Sequence, residues 1–159
     1  MDEHKKVIED FYTAFQVKDY TGMVACYHPE IHFRDPVFMD LHGREAGAMW
    51  HMLCERGKDL VVEFGNVQAG ERGGSAHWEA WYTFSTGRKV HNVIDATFEF
   101  REGKIVRHED VFDLWRWSRQ ALGPVGVFLG WSPVVKSKVR QTAWKGLDAF
   151  IVKHPEYQD

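Results

Sequence analysis

Residues 60–114 read LVVEFGNVQ (60–68), AGERGG (69–74), SAHWEAWYTFS (75–85), TG (86–87), RKVHNVIDATFEF (88–100), REG (101–103) and KIVRHEDVFDL (104–114). The four long segments repeat their apolar side chains with period two, as strands with one buried face do. The short segments between them carry glycine at hairpin lengths. A long antiparallel meander follows.

Upstream the period changes to that of a helix. Apolar residues at 7, 8, 11, 12, 14 and 15 predict a helix over Val7–Val17, and a second short one fits Tyr20–Tyr27 before Pro29. Ile31-His32-Phe33-Arg34-Asp35 alternates as a short strand ended by Pro36. Gly43 opens a third helix, with Ala46, Met49, Trp50, Leu53 and Cys54 on one stripe, closing near Gly57. Three helices covering one face of a curved antiparallel sheet make an α+β architecture with a concave cavity. Downstream, Trp115–Leu122 continues as helical turns, Gly123-Pro124-Val125-Gly126 breaks them, and Pro133–Val152 predicts an extra C-terminal helix with Val135, Val139, Ala143, Leu147 and Phe150 on one side. No repeat or linker divides the chain, so one domain is expected over 1–159, with a core at 5–114 and a helical extension at 115–159.

Bulk properties narrow the partners. With 159 residues, 44% hydrophobic content and a net charge of −3, the chain is long enough to bury a real core and carries no electrostatic footprint for nucleic acid. The basic residues Lys136, Lys138, Arg140 and Lys145 read as a solvated helix face. The charged start Met1-Asp2-Glu3-His4-Lys5-Lys6 lacks the apolar core of a signal peptide, and no eighteen-residue apolar run follows; a cytoplasmic location without membrane contact is the expectation. Cys26 and Cys54 each lie in an apolar helical pattern and read as small buried hydrophobes. The pair His28 and His32 straddles Pro29, and no other ligand spacing suggests a metal. No glycine-rich phosphate loop or Ser-His-Asp spacing is present, so no cofactor is implied.

Two aspartates stand out. Asp35 and Asp95 each interrupt an apolar or aromatic run, where a carboxylate is costly to bury without compensation.

The order helix, helix, strand with Asp-Pro, helix opening on Gly-Arg-Glu, then a four-strand meander resembles the nuclear transport factor 2-like superfamily of cone-shaped, cystatin-like domains. This superfamily includes SnoaL-like polyketide cyclases, epoxide hydrolases and ketosteroid isomerases. The segments Asp35-Pro36-Val37, His42-Gly43-Arg44-Glu45 and Val93-Ile94-Asp95 resemble ketosteroid isomerase motifs. That resemblance implies Asp35 as general base and Asp95 as a protonated oxyanion-hole acid. The family's oxyanion-hole tyrosine falls on Phe11, with Tyr12 about 100° further round the helix. The epoxide hydrolase pattern wants an arginine where this chain has Val93.

In the register that the resemblance implies, Asp95, Val93, Thr97 and His91 face the cavity, as do His108, Asp110 and Phe112, and Trp78, Ala80, Tyr82 and Phe84. The expected site is therefore Asp35, Asp95, His108 and Asp110 as catalytic groups, with Phe11, Trp78, Tyr82, Val93 and Phe112 lining a substrate pocket. Several carboxylates in one apolar cavity cannot all ionise cheaply, so one serves as base while another stays protonated. The expected activity is a cofactor-independent isomerase, cyclase or lyase acting on a small hydrophobic carbonyl compound. The alternatives are a domain that binds a hydrophobic ligand without turnover and a dimeric interaction domain. A homodimer through the convex face is expected from outward Trp81, Val111, Ile94 and Phe98.

Overall fold

A computed structural model describes residues 2–158. The chain runs through α1 (Asp2–Gln16), α2 (Tyr20–Ala25), β1 (Tyr27–Arg34), β2 (Leu41–His42), α3 (Arg44–Arg56), β3 (Val61–Ala69), β4 (Gly73–Thr83), β5 (Lys89–Arg101), β6 (Lys104–Val111), α4 (Leu114–Leu122), α5 (Pro124–Leu129) and α6 (Pro133–Lys153), and ends in a 3-10 turn over Pro155–Tyr157.

The meander forms as its periodicity demands, with β3, β4, β5 and β6 paired antiparallel in chain order. β1 then adds to the free edge of β6, and it adds parallel, with Phe33 beside His108 and Arg34 beside Glu109. The resulting order β2-β1-β6-β5-β4-β3 makes a curved, unclosed, mixed sheet rather than a purely antiparallel one. The parallel pairing joins β1 to a strand that the chain reaches only after α3 and the rest of the meander, so no local turn signal announces it.

Side chains of α1 at 8, 11, 12 and 15 are all buried, the stripe that seats this helix on the concave face of the sheet. α3 closes the other side, and its first residue follows Gly43, whose φ of 55° is open to glycine without the cost a side chain would bring. Leu53 of its expected stripe is exposed at the rim, while His51 and Met52 are buried. Tyr27 begins β1 rather than ending α2, because Cys26 caps that helix and Pro29 is tolerated in an edge-proximal strand. The segment 123–126 turns the chain without ending helical structure: Gly123 takes φ 67° and Pro124 sits at the first position of α5. Ser132 caps α6 by accepting from the Val135 N–H, and α6 packs on α3 through Leu147 and Phe150.

The concave face is filled. Phe11, Tyr12, Phe15, Phe33, Trp50, Trp78 and His108 interlock there, with ring centres 5.0–5.2 Å apart for Phe33 against His108, Phe15 against Trp50 and Phe11 against Tyr27. Each fully buried ring of this kind contributes about 1.5–3 kcal/mol. The open hydrophobic cavity expected in front of Asp110 is occupied by these rings. Two shallow grooves lie elsewhere, one at Arg72–Gly74 and Thr97–Glu99, the other at Pro29–Ile31 and His42–Arg44.

In β5 the even positions Val90, Ile94, Ala96 and Phe98 are buried, and the odd positions His91, Val93, Asp95 and Thr97 face outward. Ile94 and Phe98 therefore belong to the core and not to the convex surface. That surface carries a polar lattice: His77 lies 2.9 Å from Asp95 and 3.0 Å from Glu79, and His91 lies 2.6 Å from Glu79 while stacking on Trp81. Among the described residues no helix is long and apolar enough to cross a membrane.

Candidate active site

Asp35 follows directly from the end of β1, so the parallel register that sets Arg34 beside Glu109 carries Asp35 alongside Asp110. Its own turn shapes it. The Asp35 N–H donates to the Phe38 carbonyl, and one carboxylate oxygen accepts from the Val37 and Phe38 N–H groups at 2.7 and 2.6 Å. From the other side α6 covers this loop: the Arg140 Nε–H donates to the Pro36 carbonyl at 2.9 Å, and Trp144 meets Phe38 edge to face. The residue keeps some exposure, but the carboxyl is enclosed. Burial pushes its pKa up to about 7 despite the two N–H donors, and the negative charge of Asp110 adds to the rise.

Asp110 sits on the concave face of β6, 3% exposed, opposite Ala96. One oxygen accepts from His108 Nε2–H at 2.9 Å and from Trp78 Nε1–H at 3.3 Å. The chain of hydrogen bonds continues: His108 Nδ1 lies 2.7 Å from the Tyr27 hydroxyl, which accepts from Trp50 Nε1–H at 2.8 Å. An indole only donates, so the Tyr27 hydroxyl proton is free to point at His108 Nδ1, and His108 then donates its Nε2–H to Asp110. The order Trp50, Tyr27, His108, Asp110, Trp78 is thus satisfied from end to end and fully buried.

One group in this region has no partner. The Tyr12 hydroxyl is buried and makes no hydrogen bond. Burial raises its pKa well above the ordinary phenol value, and the nearby Asp110 carboxylate raises it further. It stays a proton donor at any neutral pH. At the rim, the Tyr82 hydroxyl accepts from Trp117 Nε1–H at 2.6 Å, and burial, with the charge of Asp35 behind it, raises its pKa as well.

The structure thus brings Asp35, His108 and Asp110 together, with Trp78 on Asp110, Phe11 edge-on to His108, and Tyr82 and Phe112 in the apolar cluster at the rim. It does not bring Asp95 or Val93. Asp95 projects from the convex face, its side chain 79% exposed and paired with His77, and Val93 shares that face. A strand's period of two decides the matter, since Ile94 and Ala96 go into the core and force residue 95 out. The residues that sequence reasoning missed are Tyr27 and Trp50, which lie 81 and 58 positions before His108 with no motif linking them, and Tyr12, visible only as the neighbour of Phe11.

A protein-family model described as SnoaL-like domain matches residues 8–108. The chain belongs to the SnoaL-like family. The match runs from the middle of α1 to His108 and ends just before Asp110. No curated protein shows a significant match. Among solved structures, this SnoaL-like chain is similar to an LEH-like epoxide hydrolase from M. tuberculosis at 18% identity and TM-score 0.66, covering 77% of this chain and 91% of that one. It is similar to a protein from Jannaschia sp. CCS1, assigned as a SnoaL-like polyketide cyclase, at 13% identity and TM-score 0.67, covering 77% and 94%. IdmH from Streptomyces antibioticus, assigned as a polyketide cyclase, aligns at 17% identity and TM-score 0.60, covering 74% and 96%. Identities this low establish a shared fold and leave the reaction to the residues.

Proposed function

We propose that this SnoaL-like protein is a cofactor-independent acid–base enzyme that isomerises, cyclises or eliminates on a small hydrophobic carbonyl compound. The observation that carries this reading is the pair of enclosed carboxylates, Asp35 and Asp110, with Asp35 pushed up to about 7 by burial and by the charge of Asp110. A group that titrates near neutral pH both takes and returns a proton efficiently. Asp35, through the oxygen not bound by its turn, removes a proton α to the carbonyl and returns it from the protonated carboxyl. Asp110, held by His108 and Trp78, raises the basicity of Asp35 and orients the chain behind it. Asp95, fully outside, has no part in the reaction.

The cyclase assignments of the structural neighbours agree with this class of chemistry, because a polyketide chain presents protons acidified by adjacent carbonyls. The absence of an inward arginine beside an inward strand aspartate in β5 argues against epoxide opening here. The test is solvent deuterium exchange into the α position of β-dicarbonyl compounds, followed by NMR: wild type should catalyse exchange, with a rate that rises through about pH 7, and Asp35→Asn should lose it. Exchange undiminished in Asp35→Asn refutes the assignment of the base.

The filled cone favours a second reading, a domain that binds a hydrophobic ligand without turnover. Under it, Asp35→Asn and Asp110→Asn keep ligand affinity and there is no exchange to lose.

A further inference from the structure

On the far side of α3 from Asp110, the last turns of the chain come back against its middle. His51 and Glu55 stand four residues apart on α3, and His154 follows the end of α6; one donor atom from each lies within 4.8 Å of the others. We propose that His51, Glu55 and His154 form a binding site for a divalent transition-metal ion of the zinc class, which fastens the C-terminal helix to α3.

Three observations carry it. The first is spacing: His51 Nε2 and Glu55 Oε2 are 3.4 Å apart, close to the ~3.3 Å that separates two donors about 2.0–2.1 Å from one tetrahedral ion. The second is the state of the imidazoles. His154 Nδ1 lies 2.7 Å from the Phe150 carbonyl, which can only accept, so that nitrogen carries the proton and the lone pair is on Nε2. His51 Nδ1 lies 2.8 Å from the Tyr157 hydroxyl, an oxygen able to accept the Nδ1 proton in the tautomer that turns the Nε2 lone pair toward Glu55. An oxygen behind each ring, fixing the tautomer, is the usual setting of a histidine that holds a metal. The third is rigidity: His51 stacks on Tyr20 with ring centres 3.6 Å apart, and His154 stacks on Phe150 at 3.8 Å, so both rings are oriented before any ion arrives. Glu55 is exposed, so its carboxylate can adjust to an ion.

Two imidazoles and one carboxylate suit zinc and its neighbours in the first transition row rather than magnesium or calcium, which prefer oxygen alone. A second cluster, of His32 on β1, Asp40 just before β2 and His42 on β2, supplies a built-in comparison. There the Asp40 carboxylate is already taken by both rings, at 2.5 and 2.8 Å, and all three residues stand on the surface side of the sheet edge.

The experiment uses the full chain freed of metal with a chelator. Zinc chloride is titrated calorimetrically into wild type, His154→Gln, Glu55→Gln, Tyr157→Phe and His42→Gln, with circular dichroism to verify that each is folded. Cobalt is then used for its visible absorption in a nitrogen and oxygen site. Wild type should take up zinc saturably at micromolar concentration and gain thermal stability from it. His154→Gln and Glu55→Gln should each lose one bound ion, Tyr157→Phe should bind about 10-fold more weakly, and His42→Gln should keep the site. His154 is only half-buried and Glu55 is exposed, so both variants should fold. No uptake by wild type, or a stoichiometry that falls in His42→Gln and stays unchanged in His154→Gln, overturns the proposal.

Discussion

Asp35→Asn should cancel a pH dependence of stability that wild type carries through one side chain. The Asp35 pKa rises from 3.8 in an unconstrained chain to about 7 in the fold, so between those values the folded state binds more protons than the unfolded state. Stability from this group is therefore fully present below about pH 4, declines as pH rises toward 7, and is flat above that. A rise of about 3 units at 1.36 kcal/mol each sets a ceiling of about 4 kcal/mol on the loss. Asparagine keeps an oxygen for the Val37 and Phe38 N–H groups and carries no charge at any pH, so its stability relative to wild type should grow from near zero at pH 4 to as much as about 4 kcal/mol at pH 8. In a domain of this size that corresponds to roughly 8–16 °C in Tm. Thermal or urea unfolding of both proteins at half-unit steps from pH 4 to 8.5 gives the difference directly, and subtraction removes all other titrating groups. A difference that stays constant within about 1 kcal/mol across the range refutes the buried, elevated carboxyl, and with it the reason for choosing Asp35 as the proton-exchanging group.

Other perturbations read other parts of the fold. Tyr12→Phe removes a buried hydroxyl that has no partner, so Tm should hold or rise, and a clear loss of Tm refutes the reading of that hydroxyl as unsatisfied. Tyr27→Phe strands Trp50 Nε1–H and His108 Nδ1 in the core and should cost about 2–5 kcal/mol in urea unfolding, and an undiminished midpoint refutes the buried chain of hydrogen bonds. Gly126→Ala would put a Cβ 1.8 Å from the Ser118 carbonyl oxygen, so α4 and α5 must separate, at a cost of about 1–3 kcal/mol or more measured by Tm. If the convex face pairs two chains, the contact rests on Trp81, Val93 and Val111; Val111→Glu should then convert a sedimenting dimer to monomer, and a wild type that is monomeric at micromolar concentration refutes the pairing.

Much of this molecule was legible in one dimension. Residues 60–114 determine four strands and their hairpins, because a period of two and glycine turns at hairpin length are local properties that survive without a partner. The 3.6-residue stripe of Ile8, Phe11, Tyr12 and Phe15 likewise determines which face of α1 is buried. The alternation of β5 already put Ile94, Ala96 and Phe98 on one face and Asp95 on the other; motif likeness pointed the opposite way, and packing followed the alternation. What tertiary structure alone decided is which carboxylates meet. Asp35 reaches Asp110 because β1 adds parallel to β6 across more than seventy residues, and Tyr27 reaches Trp50 and His108 through the same juncture. Neither contact leaves a trace in local spacing, since a parallel edge pairing is stabilised by burying both strands under α1 and α3 at once and not by any turn between them. The rise of the Asp35 pKa has the same origin: its turn favours the anion, and only the enclosure completed by α6, a hundred residues later in the chain, outweighs that preference.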